Sequence, residues 1–266
     1  VAQIVGDAIP LYPLMGPGVD PHLYRPKESD VHAIDTAYAI IYNGLHLEGK
    51  MGEIFQYLQS EKPTISCASA LRSEQLISSD FADIYDPHIW HDVSLWIQVV
   101  NYLADELSLI FPEHAQIFKA NAQLYCEKLA ALDVKIRNQI AQLSSDKRIL
   151  VTGHDAFEYF GRAYGFKVLG LQGMSTDAQI SAKDIKNIAE IICEKNIPAI
   201  FLESCIAQRN IEAVCRAVQS YGKQISIGDQ LYSDSLADSG KTAATYHGMI
   251  EHNVNSILTM LLHECS

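Results

Sequence analysis

The sequence predicts an α/β protein of two (β/α) lobes with mainly parallel sheets, joined by one long rigid backbone helix. Short β-rich runs alternate with helical patterns in both halves of the 266-residue chain, and an uninterrupted helical pattern lies between them. Strands that alternate with helices form βαβ units, in which neighbouring strands run parallel. We therefore expect an N-terminal α/β lobe over residues 1–112, a linking helix over 113–145 and a C-terminal α/β lobe over 146–266.

Each predicted strand is a short apolar run, and a helical pattern follows most of them. The N-terminal strands are predicted at AIPLYPLM, AIIYNG and PTISCAS (residues 8–15, 39–44 and 63–69), with helices near 29–37, 49–60 and 92–110. The C-terminal strands are predicted at RILVTG, FKVLGL, PAIFLES and KQISIG (148–153, 166–171, 198–204 and 223–228), with helices near 155–164, 181–195, 207–221 and 242–263. Both halves therefore show the alternation that parallel sheets require.

The central helical pattern is unusually long. Residues 113–144 contain neither Gly nor Pro, and their apolar side chains recur at steps of three and four: Phe118, Ala122, Tyr125, Leu129, Leu132, Ile136, Ile140 and Leu143. A helix of about 30 residues exceeds the usual length in globular proteins. The pattern also fits a core or coiled-coil helix, but the absence of a flexible linker elsewhere favours a spine that joins two lobes.

Charge and composition bear on nucleic-acid binding and on membrane-spanning segments. The formal net charge is −12, and the 20 Lys and Arg residues are scattered, so the chain has no basic stripe for nucleic acid. No apolar run approaches the roughly 20 residues that a membrane-spanning helix needs. The first residues, VAQIVGD, have the pattern of the end of a helix, so we expect an export signal and a first strand upstream of them.

The six cysteines do not identify a redox compartment. They form neither a CxxC pair nor a dense framework, at Cys67, Cys126, Cys193, Cys205, Cys215 and Cys265. Cys126, Cys193 and Cys215 fall in helical patterns, where we expect small buried apolar side chains. The even count permits disulfides, and the pairing stays open.

Two copies of Asp-Pro-His occur in the N-terminal half, at residues 20–22 and 86–88. Proline fixes its own φ and keeps the preceding residue extended, so each copy presents its histidine from a stiff loop. The aspartate can accept a hydrogen bond from an imidazole and so orient it. An ordinary loop with a helix cap is the competing interpretation of either copy.

Two further polar residues follow strands of the C-terminal half. His154 comes directly after RILVTG, and Asp234 lies in LYSDS, after KQISIG. Parallel α/β proteins bind ligands beyond the carboxyl ends of their strands. Three histidines and one aspartate suit a first-row divalent metal such as Zn²⁺ or Mn²⁺. A helix start for His154 and a turn position for Asp234 are the structural alternatives. The candidate metal ligands are His22, His88, His154 and Asp234.

The remaining histidines have structural interpretations. His91 is expected to be a solvated or capping side chain, because HIWHD is not the HExxH zinc motif. We expect structural or surface positions, on helices or helix edges, for His32, His46, His114, His247, His252 and His263. Glu203 and Glu158 are the carboxylates that a metal-dependent hydrolase could use as acid or base, although Glu203 is better explained as a structural hydrogen-bond acceptor.

Six segments together resemble the metal-binding solute receptors of ABC importers: LMGPGVDPHLYRPKESDV, AIIYNGLHLEGKM, DPHIWHDVSLW, VTGHDAFEYFGRAYGFKVLGLQGMST, PAIFLES and LYSDSLADSG. These receptors are the cluster A-I (cluster 9) family for zinc and manganese, and the chain is most similar to its TroA-like branch. The resemblance covers nearly the whole chain in the expected order. It implies two (β/α) lobes joined by a long helix. It also implies metal ligands at His22, His88, His154 and Asp234.

The resemblance implies a substrate-binding protein, not an enzyme. Such a protein captures Mn²⁺ or Zn²⁺ between its lobes and delivers the ion to a membrane permease. It is exported to the periplasm or another extracytoplasmic space, either free or lipid-anchored, and we expect a monomer without a nucleic-acid partner. A metal-dependent hydrolase that uses the same residues is the alternative function.

Two departures from the family pattern bear on the metal. Members with strong manganese preference often have Glu where this chain has His154, and imidazole-rich coordination favours zinc over manganese. Zinc-scavenging members carry a His-rich acidic loop between the first two ligands, whereas residues 60–86 contain no His. The two departures point in opposite directions, so the expected ion is Mn²⁺ or Zn²⁺.

Overall fold

The computed structural model describes residues 1–79, 84–177 and 180–262. Within these ranges the strands pair two by two, and every pair is parallel. The pairs are β1 (Ile40–Tyr42) with β2 (Thr64–Ser66), β3 (Ile149–His154) with β4 (Lys167–Gln172), and β5 (Ala199–Glu203) with β6 (Ser226–Leu231). β3 also packs beside β5. The predicted α/β class with parallel sheets is therefore confirmed.

Helices follow the strands in the predicted order. In the described part of the chain they are α1 (Ala2–Val5), α2 (Glu28–Thr36), α3 (Lys50–Leu58), α4 (Val93–Ile110), α5 (Ala115–Ile140), α6 (Glu158–Tyr164), α7 (Ala182–Lys195), α8 (Gln208–Ser220) and α9 (Tyr246–Leu262). By length and hydropathy, none of these helices could span a lipid bilayer.

The chain divides into two compact units. The N-terminal unit comprises Val1–Gly16 and Pro21–Val134, and the C-terminal unit comprises Pro17–Asp20 and Lys135–Ser266. The division falls within α5, so the long helix begins in one unit and ends in the other. The three-part division expected from the sequence stays a prediction.

The strand predicted at residues 8–15 is wrong, because this segment has no regular secondary structure. Pro10 and Pro13 have no N–H to donate, so they cannot take part in a strand ladder from that side. Leu11 and Tyr12 between them remain exposed. An apolar run alone therefore did not make a strand here.

The long helical pattern is confirmed as α5, which is somewhat shorter than predicted. Most of the side chains that define its period are buried: Phe118, Ala122, Leu129, Leu132, Ile136 and Ile140. The helix begins after a 3₁₀ turn at Pro112–His114. After it ends, the guanidinium of Arg148 donates two hydrogen bonds to the carbonyl of Leu143, at 2.9 and 2.8 Å.

The C-terminal unit has a core between its strands and the helices α7 and α8. Val151 of β3, Ile200 of β5 and Ile192 of α7 are buried in one apolar cluster with residues of α8. Because this core holds β3 and β5 side by side, it fixes the places where both strands end. Those ends carry the polar residues of the candidate site.

The cysteine prediction holds in part. Cys126, Cys193 and Cys215 lie on helices as expected, but each is only half-buried, whereas Cys67 is fully buried. These four and Cys205 are free thiols. Cys265 lies outside the described residues.

Candidate metal site

His88 of the N-terminal unit is held by the aspartate of its own motif. The side chain is 0% exposed, and its Nδ1 lies 2.7 Å from Oδ1 of Asp86. The same oxygen accepts the backbone N–H of His88 at 2.9 Å. Because a carboxylate only accepts, the Nδ1 atom carries the proton, which leaves the Nε2 lone pair available for a metal.

The loop before His88 is fixed by residues that the sequence analysis did not identify. The side-chain Nδ2 of Asn43 donates to the carbonyl of Pro87 at 2.9 Å. The backbone N–H groups of Asn43 and Gly44 donate to the carboxylate of Glu48 at 2.6 and 3.2 Å. Burial raises the pKa of Glu48. In the sequence, the only sign that Glu48 holds this loop is the carboxylate in NGLHLE. The fold shows that this carboxylate is buried.

His22 lies beside His88 in the same unit. Their Nε2 atoms are 3.4 Å apart, and their ring centroids are 5.4 Å apart. Two metal–nitrogen bonds of about 2.0–2.1 Å at a tetrahedral angle would separate the nitrogens by about 3.3–3.4 Å. The two imidazoles are therefore spaced as neighbouring ligands of one ion would be.

The backbone around His22 is held by tight local contacts. The hydroxyl of Tyr24 bonds to the carboxylate of Asp30 and lies 3.1 Å from the carbonyl of Leu14. Burial and the hydrogen bond to Asp30 raise the pKa of Tyr24 to about 12. Gly49, at the start of α3 with φ +49°, approaches so closely that an added Cβ would lie 2.8 Å from the carbonyl oxygen of His22. Glycine is therefore required at this approach.

The aspartates of both Asp-Pro-His motifs accept hydrogen bonds. Asp86 orients the imidazole of its own motif, as predicted. Asp20 accepts a hydrogen bond from the hydroxyl of Thr176, at 2.6 Å.

His154 ends β3 in the C-terminal unit and is 0% exposed. Its Nδ1 lies 2.6 Å from Oε2 of Glu203, and its backbone N–H donates to Oε1 of the same side chain at 2.8 Å. Glu203 is the last residue of β5. Glu203 is thus a hydrogen-bond acceptor. Glu158, the other carboxylate considered for a hydrolase, is the first residue of α6.

Asp234 lies on the other side of the His154 ring. Its Oδ2 is 3.1 Å from Nε2 of His154, and both side chains are fully buried. Burial lowers the pKa of His154, but the negative charges of Glu203 and Asp234 outweigh burial and hold that pKa well above its usual value. These charges favour a proton on His154 when no metal is bound, and a metal that binds Nε2 must displace that proton.

The prediction for His91 is wrong, because the side chain is 1% exposed and is not a helix cap. It ends a 3₁₀ turn, Ile89–His91, and the cap of α4 is Asp92, which accepts the backbone N–H of Ser94 at 2.9 Å. Among the other histidines, some are exposed and some half-buried as expected: His32, His46, His114, His247 and His252. His263 lies outside the described residues.

Buried imidazoles held at Nδ1 by carboxylates, one at the end of β3 and one in a loop, define an α/β protein of the transition-metal-binding class. The family model described as zinc-uptake complex component A, periplasmic (ZnuA), matches residues 1–260. The chain belongs to this family, and the family resemblance predicted from the motifs is confirmed.

Two curated relatives match almost the whole chain. The manganese-binding lipoprotein MntA of Bacillus subtilis is 41% identical over 259 residues, which are 97% of this chain and 85% of MntA. The zinc-binding protein TroA of Treponema pallidum is 42% identical over 261 residues, 98% of this chain and 84% of TroA. The solved structure of the periplasmic zinc-binding TroA matches with a TM-score of 0.95 at 41% identity, covering 98% of this chain and 94% of that chain.

Proposed function

We propose that this chain is the substrate-binding protein of an ABC importer, which captures Mn²⁺ or Zn²⁺ and delivers it to a membrane permease. The observation that carries the proposal is the pair of buried histidines, His88 and His154, whose Nδ1 atoms are held by carboxylates. This arrangement leaves each Nε2 for a metal and keeps the ring from turning away. The family's description as an uptake component and the metal-binding names of its relatives agree with it.

The proposed ligands are His22, His88, His154 and Asp234. Each unit supplies two of them, and a closed tetrahedral site needs four. We therefore propose that these four side chains together hold one ion. Three neutral imidazoles and one carboxylate leave one net positive charge on the bound divalent ion, and this charge faces the negative partners Asp86 and Glu203.

The hydrolase alternative is not favoured. Glu203 and Glu158 are the candidates for its general acid or base, and both oxygens of Glu203 accept hydrogen bonds from His154. The relatives named above are a manganese-binding lipoprotein and a zinc-binding protein. A fully ligated ion would also lack the open position that a catalytic zinc needs for water.

The same proposal extends to location and partners. We propose an extracytoplasmic protein, either free or lipid-anchored as the relative MntA is, that acts as a monomer and docks on its permease. Its organisation would be an N-terminal lobe over 1–112, a linking helix over 113–145 and a C-terminal lobe over 146–266. Sedimentation of the purified protein tests the monomer.

Calorimetric titration of the metal-stripped protein with Zn²⁺ and with Mn²⁺ tests the function. One site per chain is expected for the wild-type protein. The double variant His22→Ala/His88→Ala and the variant Asp234→Ala should lose most of the affinity, whereas the exposed His32→Ala should bind as wild type does. Saturable binding that survives both ligand variants would show that the ligand set is wrong. No saturable site for either ion would overturn the receptor itself.

A further inference from the structure

Resting on the proposed function, we propose that Asn253 is the positioning residue for Asp234. Its side-chain amide would restrain the loop that carries this ligand, and it would thereby set the rate at which the metal leaves. The proposal concerns a residue that does not touch the ion and lies 19 positions further along the chain.

Asn253 is a buried polar residue on a largely apolar face of α9. It is 2% exposed, and Ile250, Val254 and Ile257 around it are buried as well. An amide in such surroundings is unfavourable unless its donors and acceptor are satisfied. A structural role alone would be met by an apolar residue of similar size, so the bonds that Asn253 makes are informative.

Those bonds are made to the backbone of one residue, Tyr232. The side-chain Oδ1 of Asn253 accepts the N–H of Tyr232 at 2.9 Å, and its Nδ2 donates to the carbonyl of Tyr232 at 2.8 Å. The Nδ2 atom also lies 3.3 Å from the sulfur of Met249. The amide thus bonds to both backbone groups of Tyr232, as a neighbouring strand would.

Tyr232 is the first residue after β6, where the strand ladder stops. Leu231, the last residue of β6, pairs with Glu203 of β5. At this end of β6, α9 provides contacts as well, because Nε2 of His252 lies 2.9 Å from the carbonyl of Gln230 and Asn253 bonds to Tyr232. The helix therefore fixes the chain two residues before Asp234.

A second restraint fixes the chain directly after Asp234. The hydroxyl of Ser235 accepts the backbone N–H of Gly18 at 3.1 Å and lies 3.1 Å from the hydroxyl of Ser204. Asp234 thus lies between two fixed points, one at Tyr232 and one at Ser235. His154 is oriented directly through its ring by Glu203, and the two fixed points restrain the backbone on either side of Asp234.

Loss of the Asn253 amide should therefore free one end of the Asp234 loop and leave the imidazoles in place. The carboxylate would then leave the ion more often, which raises the dissociation rate more than it changes the association rate. Partners that orient a ligand typically contribute about 10- to 100-fold in metal affinity. We expect Asn253→Ala to release metal about 10- to 100-fold faster than wild type.

Co²⁺ is the probe for the test, because its visible absorption spectrum reports the geometry of its ligands. Release of Co²⁺ to an excess of chelator is timed for the full chain, for Asn253→Ala and for the control Asn255→Ala. Asn255 lies on the same helix but is exposed, and it accepts a hydrogen bond from Gln139 at 3.0 Å. Faster release with an altered spectrum is expected for Asn253→Ala only.

A double-variant comparison separates positioning from general destabilisation. If Asn253 acts through Asp234, Asn253→Ala should add almost nothing to the loss already caused by Asp234→Ala. An equal loss in both backgrounds, or wild-type release and spectrum in Asn253→Ala, would overturn the inference while the receptor function stands. Failure of the wild-type protein to bind Co²⁺ would instead overturn the proposed function, and this inference with it.

If Asn253→Ala does not fold, the variant Ser235→Ala provides a second test of the same inference. This half-buried residue is small, and its change removes the second restraint of the same loop without opening the core. Its release rate should lie between those of wild type and a variant that lacks Asp234. A wild-type rate in Ser235→Ala would contradict a restrained Asp234 loop.

Discussion

The imidazole Nδ1 of His154 lies 2.6 Å from Oε2 of Glu203, and the backbone N–H of His154 donates to the other oxygen of that carboxylate at 2.8 Å. One glutamate therefore fixes both the ring and the backbone of the histidine. The two residues end the strands β3 and β5, which lie side by side. The direction of the His154 ring thus follows from the packing of β3 beside β5. Changes to either residue should therefore alter metal binding measurably.

Glu203→Gln should weaken Zn²⁺ binding by about 10- to 100-fold. Glu203 uses two acceptor oxygens, whereas a glutamine has one, so its NH₂ group would face one of the two donors of His154. Beside Nδ1, that group would favour the tautomer in which Nε2 carries the proton. Competition titration with a chelator of known affinity measures the change. The exposed Glu194→Gln is the matched control and should bind as wild type does. An unchanged affinity in Glu203→Gln would contradict the orienting role.

Zn²⁺ should bind more tightly than Mn²⁺, because three imidazoles favour the metal that lies later in the divalent series. His154→Glu should lower the affinity for both ions, since the new carboxylate would face Glu203 and Asp234. The loss should be smaller for Mn²⁺, which prefers oxygen ligands. Paired titrations with the two ions measure the ratio. A ratio that stays constant on substitution would show that His154 does not decide the preference.

Zn²⁺ affinity should fall as the pH is lowered. The charges of Glu203 and Asp234 outweigh burial and raise the pKa of His154 above its usual value, so the metal-free site holds a proton that the metal must displace. Competition by protons therefore begins at a higher pH than it would for an ordinary histidine. Calorimetry at pH 7 in two buffers of different ionisation enthalpy measures the protons released. Zero release at that pH would contradict the raised pKa of His154.

Leu129→Ala should destabilise the protein by about 2–5 kcal/mol, because it opens a cavity beneath the buried face of α5. Leu124→Ala on the exposed face of the same helix should change the free energy of unfolding by about 0.5 kcal/mol or less. Urea unfolding followed by circular dichroism measures both. Equal effects of the two changes would mean that the buried face assigned to α5 is wrong.

Saturating Zn²⁺ should raise the unfolding temperature of the wild-type protein. An ion that binds only the folded state stabilises it by about 2.7 kcal/mol when present at 100 times its dissociation constant. The increase should vanish in His22→Ala/His88→Ala, whose metal-free unfolding temperature should differ little from that of wild type. Scanning calorimetry with and without Zn²⁺ makes the comparison. An equal increase in the double variant would place the bound ion elsewhere.

The alternation of apolar runs and helical periods predicted the parallel α/β class, and the step of three and four predicted α5. These features depend on neighbours in the chain, because strand and helix periods are local properties of the backbone. The failure at residues 8–15 is also local, since Pro10 and Pro13 within the apolar run remove ladder donors.

The sequence by itself thus determined the fold class, the order of the elements and four candidate ligands. Only the tertiary structure decided what surrounds each polar side chain. Asp86 accepts a hydrogen bond from its own histidine, Asp20 accepts one from Thr176, and His91 is buried. Glu203 reaches His154 across 49 positions, and Asn253 reaches Tyr232 across 21. Such pairs are set by how strands and helices pack, because a hydrogen bond depends on distance in space and not on separation along the chain.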